Sequence, residues 1–398
     1  MNQLSNSLQK EINIRKNSGY KVIACVMFNH GQQQYFSDVI RLSIQTEKIF
    51  YFFVNEYEIN LGDKLSIFKN FHFITQDEYI KLINVDLALH AEIYCRSPHV
   101  PEVCFSGHGF PGKHTVWSEE NIKSFNHYFL YGPKDKKIFE FVTKDYTNEV
   151  TKHITFWPVG YPKYDCQFNT TEKQINTTKH EIGLDPKKPT ILFAPAWDPR
   201  GILRTAGVEL IKIFRTLKQY NFIIKLHPAS MADKKSCDYL FYTGGVDWLK
   251  EIRSISKKKI IKFFPSKSNL FIPNQNSINP LFKVSDLLIT DFSGVSQGFF
   301  IEDKPVITID CPEYFSKTLV ELGSDGELSK SNDLFNNGRR GTYILSDYRK
   351  IGNAISEVLK SPQNLGKIRR EIASELLYNH GKGTECMLTA IKSILKQN

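Results

Sequence analysis

The chain has 398 residues, enough for two cores, and its 41% hydrophobic and 24% charged residues exclude a disordered protein. Lys and Arg outnumber Asp and Glu by 52 to 42, a net charge of +10 that suits an anionic partner: a nucleotide, a phosphorylated polymer or an acidic membrane surface. The seven cysteines, at 25, 95, 104, 166, 237, 311 and 386, are scattered without a C-x-x-C pair, which argues against a zinc site or a disulfide framework and for a reducing compartment. Residues 1–19 are polar and the apolar run 22–28 is too short to span a bilayer. A cytoplasmic protein is expected, with any membrane contact peripheral, at the inner face.

In chain order, short apolar runs predict strands over 21–28, 49–54, 71–74, 103–106, 128–131 and 154–159. A polar Thr/Asn/Lys-rich stretch then reads as a linker over 171–188. A second rhythm follows: strands over 190–194, 222–226, 260–264, 287–290 and 306–309, a helix over 203–219, and helical patterns over 348–359 and 364–395. This alternation predicts an α/β chain of two Rossmann-like domains, 1–170 and 189–375, with a final helix over 376–398. In such open sheets the ligand lies beyond the carboxyl ends of strands.

Three motif matches lead elsewhere. Gly107-His108-Gly109-Phe110-Pro111-Gly112 satisfies G-x-G-x-x-G, but Pro111 and Gly112 oppose immediate helix entry. Gly294-Val295-Ser296-Gln297-Gly298 satisfies the nucleophile-elbow pattern, and with Asp310 and His380 it sketches an α/β-hydrolase with Ser296 as nucleophile. Three residues, Asp291, Phe292 and Ser293, however, separate this pattern from the strand end where an elbow belongs. Ser324-Asp325-Gly326 reads as a turn.

A different set fits one mechanism. The strand over 222–226 ends in Lys225-Leu226-His227-Pro228, where proline stiffens the loop and turns His227 outward. The strand over 287–290 ends in Thr290-Asp291-Phe292-Ser293-Gly294, whose hydroxyls and small residues, with Ser296, suit a phosphate. In the first half His108, flanked by Gly109 and Lys113, sits on a glycine-rich turn, and Gly160-Tyr161-Pro162-Lys163-Tyr164-Asp165 closes that half. Two histidines, a phosphate cradle and several lysines suit attack of a hydroxyl on a nucleotide diphosphate, one histidine as base and the other neutralising the leaving nucleotide. No Asp-x-Asp pair occurs, so no metal is indicated. Arg339-Arg340, between glycines, read either as a phosphate or acidic-polymer contact or as solvated surface.

These residues resemble the CDP-glycerol glycerophosphotransferase family, the teichoic-acid and capsule-polymer transferases of bacteria. The resemblance rests on residues 108–113, 160–165, 225–228 and 285–293 in that order, with Leu192-Phe193-Ala194-Pro195-Ala196-Trp197 a fifth match. It implies a GT-B architecture whose last helix crosses back to the first domain, the first domain handling the acceptor and the second the donor. It also implies a polyol phosphate (glycerol or ribitol phosphate) transferred from a CDP-activated donor to a lipid-linked or polymeric acceptor. The expected partners are that donor, that acceptor and an anionic membrane surface, with no nucleic acid, no metal and no further cofactor. By motif, His108 resembles the family's general base and His227 the contact to the donor's phosphates. Lys225, Pro228, Thr290, Asp291, Ser293, Gly294 and Ser296 fall in the donor segments, and Gly109, Lys113, Lys163, Asp165 and Trp197 on the acceptor side or cleft. Gly294 stands where the family has a second serine and Gly298 where it has an acid, so a glycosyltransferase using a CMP-, CDP- or UDP-activated sugar remains the alternative.

Overall fold

Apolar runs with no polar alternation have to be covered on both faces, which a parallel sheet between helix layers provides. The computed structural model describes residues 3–27, 30–55, 71–92, 98–110, 117–232, 234, 239–257, 268–273 and 277–396. The chain divides into two units: residues 1–109, 116–168 and 376–398 form the first, and residues 110–115 and 169–375 the second.

The first unit contains a seven-stranded sheet of β1 (Lys21–Met27), β2 (Ile49–Asn55), β3 (Phe73–Thr75), β4 (Leu87–His90), β5 (Glu102–Phe105), β6 (His127–Leu130) and β7 (Thr155–Pro158). All pairs are parallel, in the order 3-2-1-4-5-6-7. The second unit contains β8 (Thr190–Phe193), β9 (Asn221–Ile224), β10 (Leu270–Phe271), β11 (Leu287–Thr290), β12 (Val306–Ile309) and β13 (Tyr343–Leu345). These are again parallel, in the order 10-9-8-11-12-13. Each order reverses once, between β1 and β4 and between β8 and β11, and these reversals open a crevice at the strands' carboxyl ends. Residues such as Ala24, Phe52 and Ala88 form one core, and Phe193, Ile224 and Ile289 the other, all fully buried.

Strands β4, β10 and β13 were not expected, and the predicted strand over 260–264 lies outside the described residues. The stretch 171–188 is not an irregular linker: Glu172–Ile182 is helical. Its start is a capping box, in which Thr171 and Gln174 satisfy each other's backbone N–H, and Gly183 ends it in the left-handed conformation at φ 82°. The expected single helix over 364–395 is two, Gly366–Ser374 and Gly383–Lys396, broken where Asn379 and Gly381 take φ of 49° and 72°.

The second of these helices belongs to the first unit and packs on the helix Ser37–Thr46. Asp165 fastens its start. Oδ1 accepts from Gly383 N at 2.8 Å, and Oδ2 accepts from Thr384 N and Thr384 Oγ1, each at 2.7 Å. Gly160, at φ 82°, passes so close to Tyr378 that a Cβ there would lie 2.4 Å from its carbonyl oxygen. Asp165 therefore serves the fold and not the acceptor, which corrects the motif-based expectation. Asp165→Ala is expected to lower the unfolding free energy by about 0.5–2 kcal/mol, the usual worth of a helix cap, in urea denaturation. An unchanged midpoint would mean that the helix is held by packing alone.

Candidate functional site

In the first unit the site grows from the carboxyl ends of β4 and β5, neighbours on one side of the reversal. Gly107 takes φ 67°, a left-handed turn that ends β5 and presents His108 at the surface. The turn is tied down where Tyr131 Oη donates to Gly107 O at 3.1 Å and Ser106 Oγ donates to His90 O at 3.1 Å. His108 Nδ1 lies 3.1 Å from the Ala91 carbonyl oxygen and 3.0 Å from Glu92 Oε1. Both are acceptors, so the proton sits on Nδ1 and the lone pair of the neutral ring on Nε2. Gln32 Nε2 donates to the same Glu92 oxygen at 2.6 Å and fixes that carboxylate.

An aromatic wall backs the histidine. The Tyr35 ring lies 6.0 Å from His108, and Tyr131 stacks on Tyr161 at 3.9 Å. Burial raises these three phenols, with Glu92 adding to the effect at Tyr35, so all stay protonated. Lys163 places its ammonium 5.1 Å over the Tyr35 ring. Gly109 is exposed, with nothing within 4 Å of where a Cβ would stand. Lys113 lies outside the described residues, as do Pro111 and Gly112.

Glu92 is the residue that sequence reasoning missed. Its signal was its place immediately past a strand, beside the strand that carries His108, and that signal was invisible while β4 went unrecognised.

In the second unit β9 ends before Lys225-Leu226-His227-Pro228. Pro228 opens a short 3-10 turn, and His227 Nδ1 accepts from Ala229 N at 3.2 Å. The neutral ring therefore carries its proton on Nε2, the reverse of His108. Lys225 is half-buried without a hydrogen-bond or ion-pair partner for Nζ among the described residues, and burial pulls its ammonium down to about 8. Trp197 belongs to this unit, not to the acceptor side. Its ring centroid is 6.5 Å from that of His227 and 5.1 Å from that of Tyr242.

Two strand spacings away, roughly 10 Å, β11 ends in Thr290 and Asp291. Thr290 is fully buried and donates to Ala194 O at 2.7 Å. Asp291 Oδ1 accepts from Ala196 N at 3.0 Å and Oδ2 from Ile202 N at 3.1 Å. Both side chains hold the segment 194–202, and Asp291 also lines the cavity beside Ser293. Ser296 is buried too, with 1% exposure, and donates to Ser293 O at 3.1 Å. That bond engages its hydroxyl proton with the backbone and argues against a hydrolase nucleophile, while Ser296 still lines the cavity beside Ser293. The other members of that triad are engaged elsewhere: Asp310 pairs with Arg339 at 3.0 Å, and His380, in the first unit, stacks on Phe168 at 4.9 Å.

Ser293 and Gly294 line a small open cavity, together with Asp291 and Ser296. Phe292 and Tyr314, stacked at 3.4 Å, Phe335 and Arg339 also line it. The cradle at the helix Val295–Phe300 is narrower than expected, because Val295 N already donates to Ser293 Oγ at 3.4 Å. Ser324-Asp325-Gly326 is a helix start, with Asp325 accepting from Leu328 N at 2.8 Å. Among the described residues no group of three His, Cys, Asp or Glu is placed to hold a metal, and no helix is long and apolar enough to cross a membrane.

Asp291 gives a test of this frame. Burial raises its carboxyl to about 6 from an ordinary 3.8, so the native chain binds that proton more tightly than the unfolded one. Its contribution to stability is complete below the unfolded value and is lost as pH rises through the folded one. The stability of the wild type relative to Asp291→Asn should accordingly fall between about pH 4 and pH 7 in denaturant titrations. A difference that grows with pH would show that the fold prefers the ionised carboxylate.

Residues 133–317 match the family described as CDP-glycerol:poly(glycerophosphate) glycerophosphotransferase. The match includes four of the five motifs, at 160–165, 192–197, 225–228 and 285–293, and begins after His108. Among solved structures, the wall teichoic acid polymerase TagF superposes with a TM-score of 0.65 at 14% identity, covering 99% of this chain and 94% of that one. A variant of TagF soaked with CDPG gives 0.59 at 13% identity, covering 98% and 93%. MnaA of S. aureus with UDP gives 0.53 at 11% identity, covering 95% and 98%. No curated protein sequence matches. The resemblance read from the motifs holds: the chain has the GT-B fold and is a transferase similar to the CDP-glycerol glycerophosphotransferases.

Proposed function

We propose that the chain transfers glycerol phosphate or ribitol phosphate from a CDP-activated donor to a hydroxyl of a lipid-linked or polymeric acceptor. Such a reaction serves bacterial capsule or teichoic-type polymer synthesis at the inner face of the membrane, whose anionic lipids the net charge of +10 suits. The observation that carries the mechanism is the opposite polarity of the two histidines. His108 Nδ1 faces a carboxylate and a carbonyl, so Nε2 is an acceptor; His227 Nδ1 accepts a backbone N–H, so Nε2 is a donor.

In the reaction His108 Nε2 takes the acceptor's hydroxyl proton, and the acceptor oxygen bonds to the donor's β-phosphorus. The bond from that phosphorus to the bridging oxygen breaks, and CMP departs with the electron pair. Glu92 stabilises the imidazolium formed on His108. The Nε2–H of His227 and the ammonium of Lys225 meet the charge on the leaving phosphate, a role that in this reading needs neither metal nor cofactor.

The test is CMP release from CDP-glycerol with a poly(glycerophosphate) primer. His108→Ala should lower turnover by roughly 10²–10⁴-fold with CMP binding intact. Glu92→Gln should lower kcat more than it changes KM and shift the acid limb of the pH profile, which a merely structural residue would not do. His227→Ala should abolish the stabilisation that CMP gives in thermal unfolding, and chelators should leave turnover unchanged. Turnover of a UDP-sugar instead would replace phosphoryl with glycosyl transfer, and loss of activity in EDTA would overturn the metal-free step.

A further inference from the structure

Large apolar side chains left in water beside one another mark a contact surface. The second unit carries such a pair: Leu240 and Phe241, on the short helix Tyr239–Thr243, keep 70% and 57% of their surface exposed. The backbone beneath them is fixed. Arg204 Nη1 donates to Phe241 O at 3.1 Å, and its guanidinium fills the space over Gly244, where a Cβ would lie 2.5 Å from Cζ. Gly244 and Gly245 turn the chain at φ 66° and 79°, and the turn is closed by Gly245 N donating to Thr243 Oγ1 at 3.1 Å. Trp248 Nε1 donates to Thr243 O, also at 3.1 Å. The two apolar side chains are thus held outward by a braced helix end. Trp197 and Tyr242 back them, with ring centroids 5.6 and 5.2 Å from that of Phe241, and Trp197 continues the patch to His227.

Cations surround the pair. Arg204 lies under Phe241, and Lys234 stands 4.0 Å from Asp247. Lys250 and Arg253 are exposed on the helix Trp248–Lys257, without an ion-pair partner among the described residues. Of the nearby acids, Asp247 also accepts from Lys250 N at 3.0 Å, and Glu251 is half-buried. We propose that this patch docks on an anionic lipid bilayer: Leu240 and Phe241 enter the boundary between headgroups and acyl chains, and Arg204, Lys234, Lys250 and Arg253 meet the lipid phosphates. The inference rests on the reading of the acceptor as lipid-linked, and it names the surface that meets the membrane. A lipid-linked acceptor keeps its tail in the bilayer, so the carboxyl edge of the second sheet, where His227 stands, has to come to the membrane. Exposed cations around an apolar centre fit a surface of many anions better than an apolar protein face.

Co-sedimentation of the full chain with vesicles tests the assignment, using phosphatidylcholine alone and phosphatidylcholine with phosphatidylglycerol in equal parts. The wild type is expected to bind the mixed vesicles more tightly, and less so at high salt. Leu240→Ser with Phe241→Ser should weaken that binding by at least about tenfold, since both apolar side chains lose their burial. Lys234→Glu with Lys250→Glu should weaken it by about tenfold on the mixed vesicles and little on the neutral ones. CMP release from CDP-glycerol with a soluble poly(glycerophosphate) primer should be unchanged in both variants, because that assay holds no membrane. Undiminished vesicle binding by the serine variant overturns the inference, as does a parallel loss of its turnover on the soluble primer, which would make the patch part of the site. A wild-type dimer in analytical ultracentrifugation that the serine variant dissolves also overturns it, the patch then covering a second copy. If the wild type binds neither vesicle the inference falls, while turnover on the soluble primer leaves the transferase reading standing. Absence of that turnover would remove the transferase reading itself.

Discussion

A sheet whose strands all run parallel and are covered on both faces leaves polar chemistry only at its ends, because polar groups on the faces would be buried without water. This constraint sorts the candidate side chains among the described residues. Glu92 and His108 follow β4 and β5, and His227, Ser293 and Asp310 follow β9, β11 and β12. Within each sheet the reversal of strand order separates two loops at the carboxyl edge, so side chains from different strands meet without a helix between them.

The opposite edge carries a device that occurs in both units. Asp86, the residue before β4, accepts from Val22 N at 2.7 Å and donates its own N–H to Val22 O at 2.9 Å. Asp286, the residue before β11, accepts from Thr190 N at 2.8 Å and donates to Thr190 O at 2.7 Å. In each case an aspartate staples the start of the strand past the reversal to the start of the first strand of its unit. Charge-assisted bonds to backbone N–H are stronger than neutral ones, so register is set hardest where the topology changes direction. Asp165 and Asp291 use the same chemistry at a helix start and a loop. Most of the carboxylates in the motifs thus hold backbone, and Glu92 differs because it holds a side chain.

Legibility in the sequence followed the strength of the local signal. Strands β11 and β12 were read at their observed bounds, since Leu287–Thr290 and Val306–Ile309 are runs of Leu, Ile, Val and Thr between polar turns. β4 is buried throughout but is only four residues ending in a histidine, β10 is two residues, and β13 keeps Ile344 exposed, so none offers a long apolar run in the sequence. The capping box at Thr171 was readable but was outweighed by composition. At the site, His108, His227 and Ser293 were legible as hydroxyl or imidazole groups at strand ends. The roles of Thr290, Asp291, Ser296 and Asp165 were not, because a motif names a residue without saying whether its side chain turns toward a ligand or toward the chain's own N–H groups. That choice depends on loops distant in sequence, such as Ala196 for Asp291 and Thr384 for Asp165.

The same limit explains why, in the proposed reaction, two histidines of one residue type do opposite work. A base has to keep the proton it takes, so a charge must wait behind it, and the Glu92 carboxylate meets that need across from Nδ1. A group that faces a leaving phosphate needs instead to be a fixed donor. The Ala229 N–H does this at His227, since a proton on Nδ1 would set two donors against each other. Exchanging these backings would exchange the polarities, and in the proposed reaction would leave the acceptor hydroxyl without a base and the departing phosphate without a donor. The proposed roles are therefore set by what stands behind each ring and not by the imidazole itself.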